Sequence, residues 1–423
     1  MQILDTILHA IMYPFIFISI YFQVFMLLNF IGGREKMKKE EEEMDENFEP
    51  SVTFLVPCWN EEKTLGPTID SILDLNYDKS KLKIIIIDDG SKDNTFKIAS
   101  DYAAKNTNIT AITKVNGGKH TALNDGLKMV TTELVACLDA DSFLHPNAMI
   151  VAAQYFKDKN IKALASCMQI KLPVGSWVQR IQQIEYMISV FWRKSYSNID
   201  AVQVMPGPFS VFRSSVFIEL GDYKPAHNAE DFEMTLRLHY NGYKIANAHK
   251  AYVYTVGPDT VRGLVKQRIR WVRGFLENAW DYRDMFFNKK YGHFGIFTLP
   301  IGIVFVFYIL IAIMYAVLSF VKVNYMRIYD YSLVGWHWPH LQFEPFYVNT
   351  DTFLFLSIFV FTLLGCVLYT ARNITESRDE FAYNLALYIF IYPFIVPFFI
   401  FTAVFKFLTN AKNVWALQDN KIL

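Results

Sequence analysis

Five polar clusters stand out in this hydrophobic chain: Pro57-Cys58-Trp59-Asn60-Glu61, Asp88-Asp89-Gly90, Asp139-Ala140-Asp141, Glu230-Asp231 and Gln267-Arg268-Ile269-Arg270-Trp271. Asp139 and Asp141 end an apolar run. Two carboxylates there suit a hard divalent cation, Mg²⁺ or Mn²⁺, which takes oxygen ligands and shares them with substrate phosphates. Asp88-Asp89 repeats the placement after four isoleucines. Gly90-Ser91 and Asp93-Asn94-Thr95 then supply a turn and a helix cap, which leaves Asp88 free to grip a base or a ribose. Asn116-Gly117-Gly118-Lys119 leads into a helical stretch. Its glycines let backbone approach a ligand, a helix start accommodates phosphate, and Lys119 adds a point charge, although the spacing is not that of a Walker loop. Bland readings compete at each place, since Asp-x-Asp is common by chance and paired acids or glycines usually make solvated turns.

Glu230-Asp231 opens a helical stretch at 232–240, where first-turn acids complement the helix dipole. The pentad is harder to reduce to structure. At helical spacing Gln267, Arg270 and Trp271 share a face and offer an amide, a guanidinium and a flat ring. Arginine suits diphosphate oxygens, and indole stacks on the apolar face of a pyranose. A structural cation at a membrane headgroup accounts for the arginines but not for the whole pentad.

The elements that must hold these residues follow from periodicity. Short apolar runs at 51–56, 82–87, 109–114 and 134–138 read as buried strands, with helical patterns between them at 65–73, 96–104 and 121–130. Alternating strands and helices make a parallel, doubly wound α/β sheet, and ligands in such sheets bind beyond the carboxyl ends of the strands. Asp88-Asp89 and Asp139-Ala140-Asp141 sit at those ends.

The 423 residues leave room for one soluble domain of about 200 residues and several membrane spans. Hydrophobic residues make up 52% and aromatics 16%, and the formal charge is zero, so no general attraction to nucleic acid is expected. Four cysteines (Cys58, Cys137, Cys167, Cys366) lack metal or disulfide spacing and read as reduced thiols. Segments 7–31, 294–321, 353–370 and 381–408 each reach the roughly 20 apolar residues a span needs. Arg34, Lys36, Lys38 and Lys39 follow the first, which puts the N-terminus outside and residues 50–290 in the cytoplasm. Pro393 and Pro397 interrupt the last, and Lys406, Lys412 and Lys421 follow, so a broken or re-entrant segment ending in the cytoplasm competes with a simple span. The charged stretch 34–48 reads as a solvated linker. Segments 176–195 and 260–283 are amphipathic and read as interfacial helices. The outer loop 322–350 is rich in Trp, His, Phe and Tyr.

The ordered set of clusters resembles the processive inverting glycosyltransferases of family 2, which include the synthases of cellulose, chitin, hyaluronan and poly-N-acetylglucosamine. The resemblance covers residues 50–285. The form Gln-Arg-Ile-Arg-Trp, with Gly274 three residues on, is most similar to the bacterial poly-β-1,6-N-acetylglucosamine synthases. It implies a GT-A type, Rossmann-like cytoplasmic domain inserted between transmembrane helices of the plasma membrane: an anchor at 1–33, a charged linker at 34–49, the transferase domain at 50–258, interfacial helices at 259–291 and a C-terminal membrane region at 292–423. Carried over by motif, Pro57, Asn60, Glu61, Asp88, Lys119, Asp139, Gln267 and Arg270 bind the UDP-sugar, and Asp141 with Asp139 holds Mg²⁺ or Mn²⁺. Asp231, beside Glu230, is the general base, and Gly207, Pro208 and Trp271 meet the acceptor. N-acetylglucosamine as the sugar, a growing β-linked glycan as the acceptor and contact with membrane lipids belong to the same implication; a small accessory membrane subunit is left open. Two departures stand out: Ala229 precedes Glu230-Asp231 where Thr or Ser is usual, and a single span precedes the domain where many relatives have two. Two other readings compete, a transferase that adds one sugar to a membrane lipid and a non-enzymatic transporter with a nucleotide-sensing domain.

Overall fold

The computed structural model describes residues 2–45, 47–171, 175–336, 352–376 and 380–409. Lys412, Lys421 and the aromatic loop from residue 337 onward lie outside the described residues. The chain opens with α1 (Gln2–Gly32) and α2 (Arg34–Glu42), then alternates through β1 (Val52–Cys58), α3 (Leu65–Leu73), β2 (Leu82–Asp88), α4 (Thr95–Lys105), β3 (Ile109–Thr113), α5 (Lys119–Leu127) and β4 (Leu134–Cys137). These are the strands and helices that periodicity predicts, displaced by at most a few residues at their ends. β1 pairs in parallel with both β2 and β4, and β2 with β3. Helices cover both faces of this part, so β1 is buried along its whole length and Ile84 to Ile87 in β2 are buried without alternation.

The second half departs from a purely parallel sheet. After β4 come β5 (Ser142–Leu144), α6 (Ala148–Gln154), β6 (Ile161–Ile170), α7 (Trp177–Ser197), β7 (Ser210–Arg213), α8 (Ser215–Leu220), α9 (Glu230–Tyr240), β8 (Lys244–Thr255) and α10 (Val261–Asp281). The eight strands form one mixed sheet in the order β3-β2-β1-β4-β7-β6-β8-β5. β7 runs antiparallel to β4 and β6, and β5 antiparallel to β8. Chain order reverses between β1 and β4, the kind of switch point at which open α/β sheets present a ligand crevice.

Beyond the domain lie α11 (Leu299–Val334), α12 (Thr352–Thr375), α13 (Phe381–Phe390) and α14 (Tyr392–Leu408). Three described helical segments, Tyr13–Gly32, Phe294–Val334 and Leu354–Thr375, are long and apolar enough to cross a membrane. α13 and α14 reach that length only as a pair, bent by 51°. The bend falls at Ile391, just before Pro393 in the first turn of α14, where a proline needs no intrahelical partner; Pro397 is carried inside α14. Of the two competing readings of the last segment, the bend matches the broken or re-entrant one.

α7 and α10 form the layer between the sheet and these apolar helices. α7 packs Ile184, Met187 and Phe191 against Val367, Leu368 and Ala371 of α12, and α10 packs Leu264 and Leu276 against Ile395, Phe399 and Ile400 of α14. The polar side of α7 is covered as well: Gln182, Arg193 and Lys194 are all buried. One amphipathic face was expected, but a helix wedged between two layers has no free side. The charged stretch is mostly solvent-exposed, as expected of a linker, but it is ordered. It is helical as α2, and Glu40 reaches back to buried Lys194 at 3.3 Å and to the Tyr155 hydroxyl at 3.1 Å. The described cysteines are all unpaired, and only Cys366 is exposed.

Candidate active site

The parallel strands bring the acidic clusters to one edge. Cys58 at the end of β1 is in register with Asp88 at the end of β2, and Leu55 of β1 with Cys137 of β4, which puts Asp139 at the same rim. There the chain after β1 turns sharply. Asn60 takes a left-handed conformation (φ 57°), its amide donates to Ser91 Oγ at 2.8 Å, and its side-chain oxygen accepts from the Lys92 amide at 2.9 Å. The Glu61 amide donates to Thr95 Oγ1 at 2.7 Å. Pro57 lies within β1 itself. The two loops thus brace each other through short side-chain contacts.

Asp88 is less free than its position in the sequence implies. It is buried, with its oxygens accepting from the Ser91 amide at 3.3 Å and the Thr113 hydroxyl at 2.7 Å. Asp89, which has no role in the sequence reading, organises the glycine loop: its carboxylate accepts from the amides of Gly117 at 3.0 Å and Gly118 at 2.8 Å, and pairs with Lys114 Nζ at 3.0 Å. The loop amides expected to meet a phosphate are therefore already bonded to a carboxylate of this chain.

Lys119, at the start of α5, is the hub. Its Nζ lies 2.5 Å from Asp139 and 3.4 Å from Glu230. Burial opposes the ammonium charge, but Asp139 and then Glu230 overcome it and keep the lysine protonated. Gly207 shares this junction. A Cβ there would stand 3.0 Å from Lys119 Nζ and 3.2 Å from Asp139 Oδ2, and the Gly207 amide donates to Asp231 Oδ2 at 3.3 Å. Pro208 follows, with its carbonyl accepting from Ser166 Oγ at 3.2 Å, and left-handed Phe209 stacks on Phe54. Asp139, Lys119, Gly207, Glu230 and Asp231, spread over more than 100 residues of chain, meet here.

The two adjacent acids differ in environment. Burial pushes Glu230 up, yet Lys119 and Arg270 outweigh it and hold the carboxylate below its usual range. Burial and then the neighbouring Glu230 charge push Asp231 up, against Lys119 and Arg270. Asp141 is pushed up to about 6, by burial first and then by Asp139 and Glu61. The Asp139 and Glu61 charges beside Asp141 are ones that a divalent ion would offset. Among the described residues no three His, Cys, Asp or Glu side chains group as ligands; Asp139 and Asp141 are the oxygen donors at this rim, and Mg²⁺ usually takes the rest of its shell from water and substrate phosphate.

α10 presses on the acids from the membrane side. Ala226, His227 and Asn228, just before Ala229, all have positive φ (45°, 54° and 62°). α10 holds this strained run in place: Asn278 Nδ2 donates to the Ala226 carbonyl at 2.9 Å, and Arg270 Nη1 to that of Asn228 at 3.0 Å. Gln267 accepts from Arg268 Nη1, and Trp271 stacks at 6.5 Å on Tyr186 of α7. Gly274 faces Ala229 at close range, and a Cβ on Gly274 would lie 2.6 Å from the Ala229 methyl. Gly274→Ala should therefore push the Glu230-Asp231 turn away and cut activity on the order of 100-fold, since small misplacements of reacting groups carry costs of that size. Adding Ala229→Gly should restore most of it. A wild-type turnover number for Gly274→Ala would show that this contact does not set the turn.

A mixed sheet whose parallel half ends in an acidic rim, with a lysine hub and two dissimilar acids beyond it, defines a glycosyltransferase of the GT-A fold. A mannosyltransferase from Pyrobaculum calidifontis, solved in complex with GDP-Man and Mn²⁺, shares the fold with a TM-score of 0.56, covering 94% of this chain and 99% of that one at 17% identity. Residues 50–274 match the family described as glycosyltransferase like family 2. A poly-β-1,6-N-acetyl-D-glucosamine synthase of Staphylococcus aureus is 33% identical over 291 residues, 68% of this chain and 69% of that protein. Its namesake from Staphylococcus epidermidis is 31% identical over 360 residues, 83% of each. The chain belongs to glycosyltransferase family 2.

Proposed function

We propose that this chain is a membrane-embedded, processive, inverting transferase that moves N-acetylglucosamine from UDP-N-acetylglucosamine to a growing β-linked glycan and passes the product between its spans. The observation that carries the reading is the convergence of the acids on one junction, with Lys119 Nζ 2.5 Å from Asp139 and 3.4 Å from Glu230 and the Gly207 amide donating to Asp231 Oδ2 at 3.3 Å. Two staphylococcal relatives named for this polymer supply the choice of sugar, and the long apolar helices flanking the domain supply the membrane setting.

In this mechanism Asp231 takes the proton from the acceptor hydroxyl as that oxygen attacks the anomeric carbon from the face opposite UDP, so one displacement converts an α-linked donor into a β-linked product. The Gly207 amide, bonded to Asp231, orients the carboxylate. Glu230 stays ionised and anchors Lys119, which with Arg270 faces the departing diphosphate. Asp141, with Asp139, would hold Mg²⁺ or Mn²⁺, whose Lewis acidity offsets charge on the leaving group. Asn60, Glu61 and the Asp88 turn shape the uridine side, and Gln267 and Trp271 the acceptor side.

The test is product analysis of the full chain in lipid nanodiscs, with UDP-N-acetylglucosamine or another UDP-sugar and Mg²⁺ or Mn²⁺. A ladder of β-linked polymer from UDP-N-acetylglucosamine is expected. A single sugar on extracted lipid would instead establish a lipid acceptor, and nucleotide binding without turnover would remove the enzymatic reading for the isolated chain and point to a partner subunit.

A further inference from the structure

Arg268 occupies the second position of the pentad and is left without a role by the mechanism above. It is 3% exposed, deeper than Gln267, Arg270 or Trp271. Its guanidinium is held as a fork by Glu185 of α7, Nε to Oε1 at 3.0 Å and Nη2 to Oε2 at 2.6 Å, while Nη1 donates to Gln267. The centre of the same guanidinium lies 4.1 Å from the centroid of Trp271 and 5.9 Å from that of Tyr186.

A buried ion pair is a poor device for stability alone, because desolvation takes back most of the attraction and an apolar pair of like volume often holds two helices equally well. A bidentate fork does something an apolar pair does not: it fixes the plane of the guanidinium. The guanidinium sits 4.1 Å from the centroid of Trp271, the ring read above as the acceptor platform. We infer that Arg268 is a positioning residue, locked by Glu185 so that it orients Trp271 at the acceptor end of the site and ties that ring to α7. The inference rests on the reading of Trp271 as the acceptor platform.

The experiment uses the full chain in nanodiscs with UDP-N-acetylglucosamine and Mn²⁺, comparing Arg268→Lys, Trp271→Ala and the double variant. Arg268→Lys keeps the charge but loses the fork and the flat face. Polymer length should fall roughly tenfold while UDP affinity is retained, in keeping with the cost of misplacing a bound group without removing it. The double variant should be no shorter in product than Trp271→Ala alone, because two residues acting through one ring do not add. Full-length product from Arg268→Lys alongside short product from Trp271→Ala would overturn the inference while sparing the acceptor reading, and so would strictly additive losses. Full-length product from Trp271→Ala would remove the acceptor reading and this inference together. If Arg268→Lys fails to bind UDP, Glu185→Asp, which withdraws one carboxylate by a methylene, is read by the same criteria.

Discussion

Asp231→Asn should reduce sugar transfer by about 10³-fold or more, near the upper range of general-base contributions, and leave UDP affinity close to that of the parent protein. The substitution is nearly isosteric. Both carboxylate oxygens now accept backbone amides, from Gly207 at 3.3 Å and Phe232 at 2.8 Å, and asparagine keeps only one acceptor. A stability loss of about 1 kcal/mol is therefore expected beside the catalytic one, too small to explain loss of turnover by unfolding. The same assignment sets the acid limb of the pH profile. Because burial and the Glu230 charge raise Asp231 above its ordinary value, activity should rise with pH through its ionisation, and the limb should lie higher than for an exposed aspartate. Rapid-quench transfer assays and calorimetric UDP titration on one preparation read both quantities. Turnover within about tenfold of wild type would sink the base assignment.

Cation dependence should be nearly as large. Chelation of divalent ions is expected to lower transfer by about 100-fold or more, since Lewis-acid support of a diphosphate leaving group is worth several kcal/mol. Its pH dependence carries the structural information. Asp141, raised to about 6, is ionised above that value and protonated below it, and a bound cation requires the ionised form. The apparent affinity for Mn²⁺ in the presence of UDP should thus be flat above about pH 6 and weaken by about tenfold per unit below it. Asp141→Asn should both weaken binding and remove this slope. A slope that survives in Asp141→Asn would move the proton to another group, with Glu61, also raised by burial, the first to examine.

The departures from the sequence reading have specific causes. The first four strands were legible because each is a short apolar run bounded by turn residues, and β1, β4 and most of β2 are buried on both faces. β5 to β8 were not: β5 and β7 run antiparallel to their neighbours, and β6 and β8, though parallel to each other, slip register twice along their pairing. The pentad was legible as a face of α10, whereas the inward turn of Arg268 was not, because its partner Glu185 lies 83 residues earlier on a different helix. In the sequence Asp88 reads as a ligand-gripping acid and Asp89 has no role. Packing buries the first beneath Thr113 and bonds the second to the glycine loop.

The sequence alone determined the alternation of strands and helices, the acids at the strand ends, the long apolar segments and the break before Pro393. All of these depend on contacts within a few residues, where periodicity and turn chemistry act directly. Tertiary structure alone decided that Asp139, Lys119, Gly207 and the Glu230-Asp231 pair share one junction, that Ala229 meets Gly274, and that a buried fork stands behind Trp271. Those arrangements arise when distant elements pack at fixed distances. Close packing and the low dielectric of the buried site then set the two neighbouring acids apart, lowering Glu230 and raising Asp231 relative to an ordinary carboxylate.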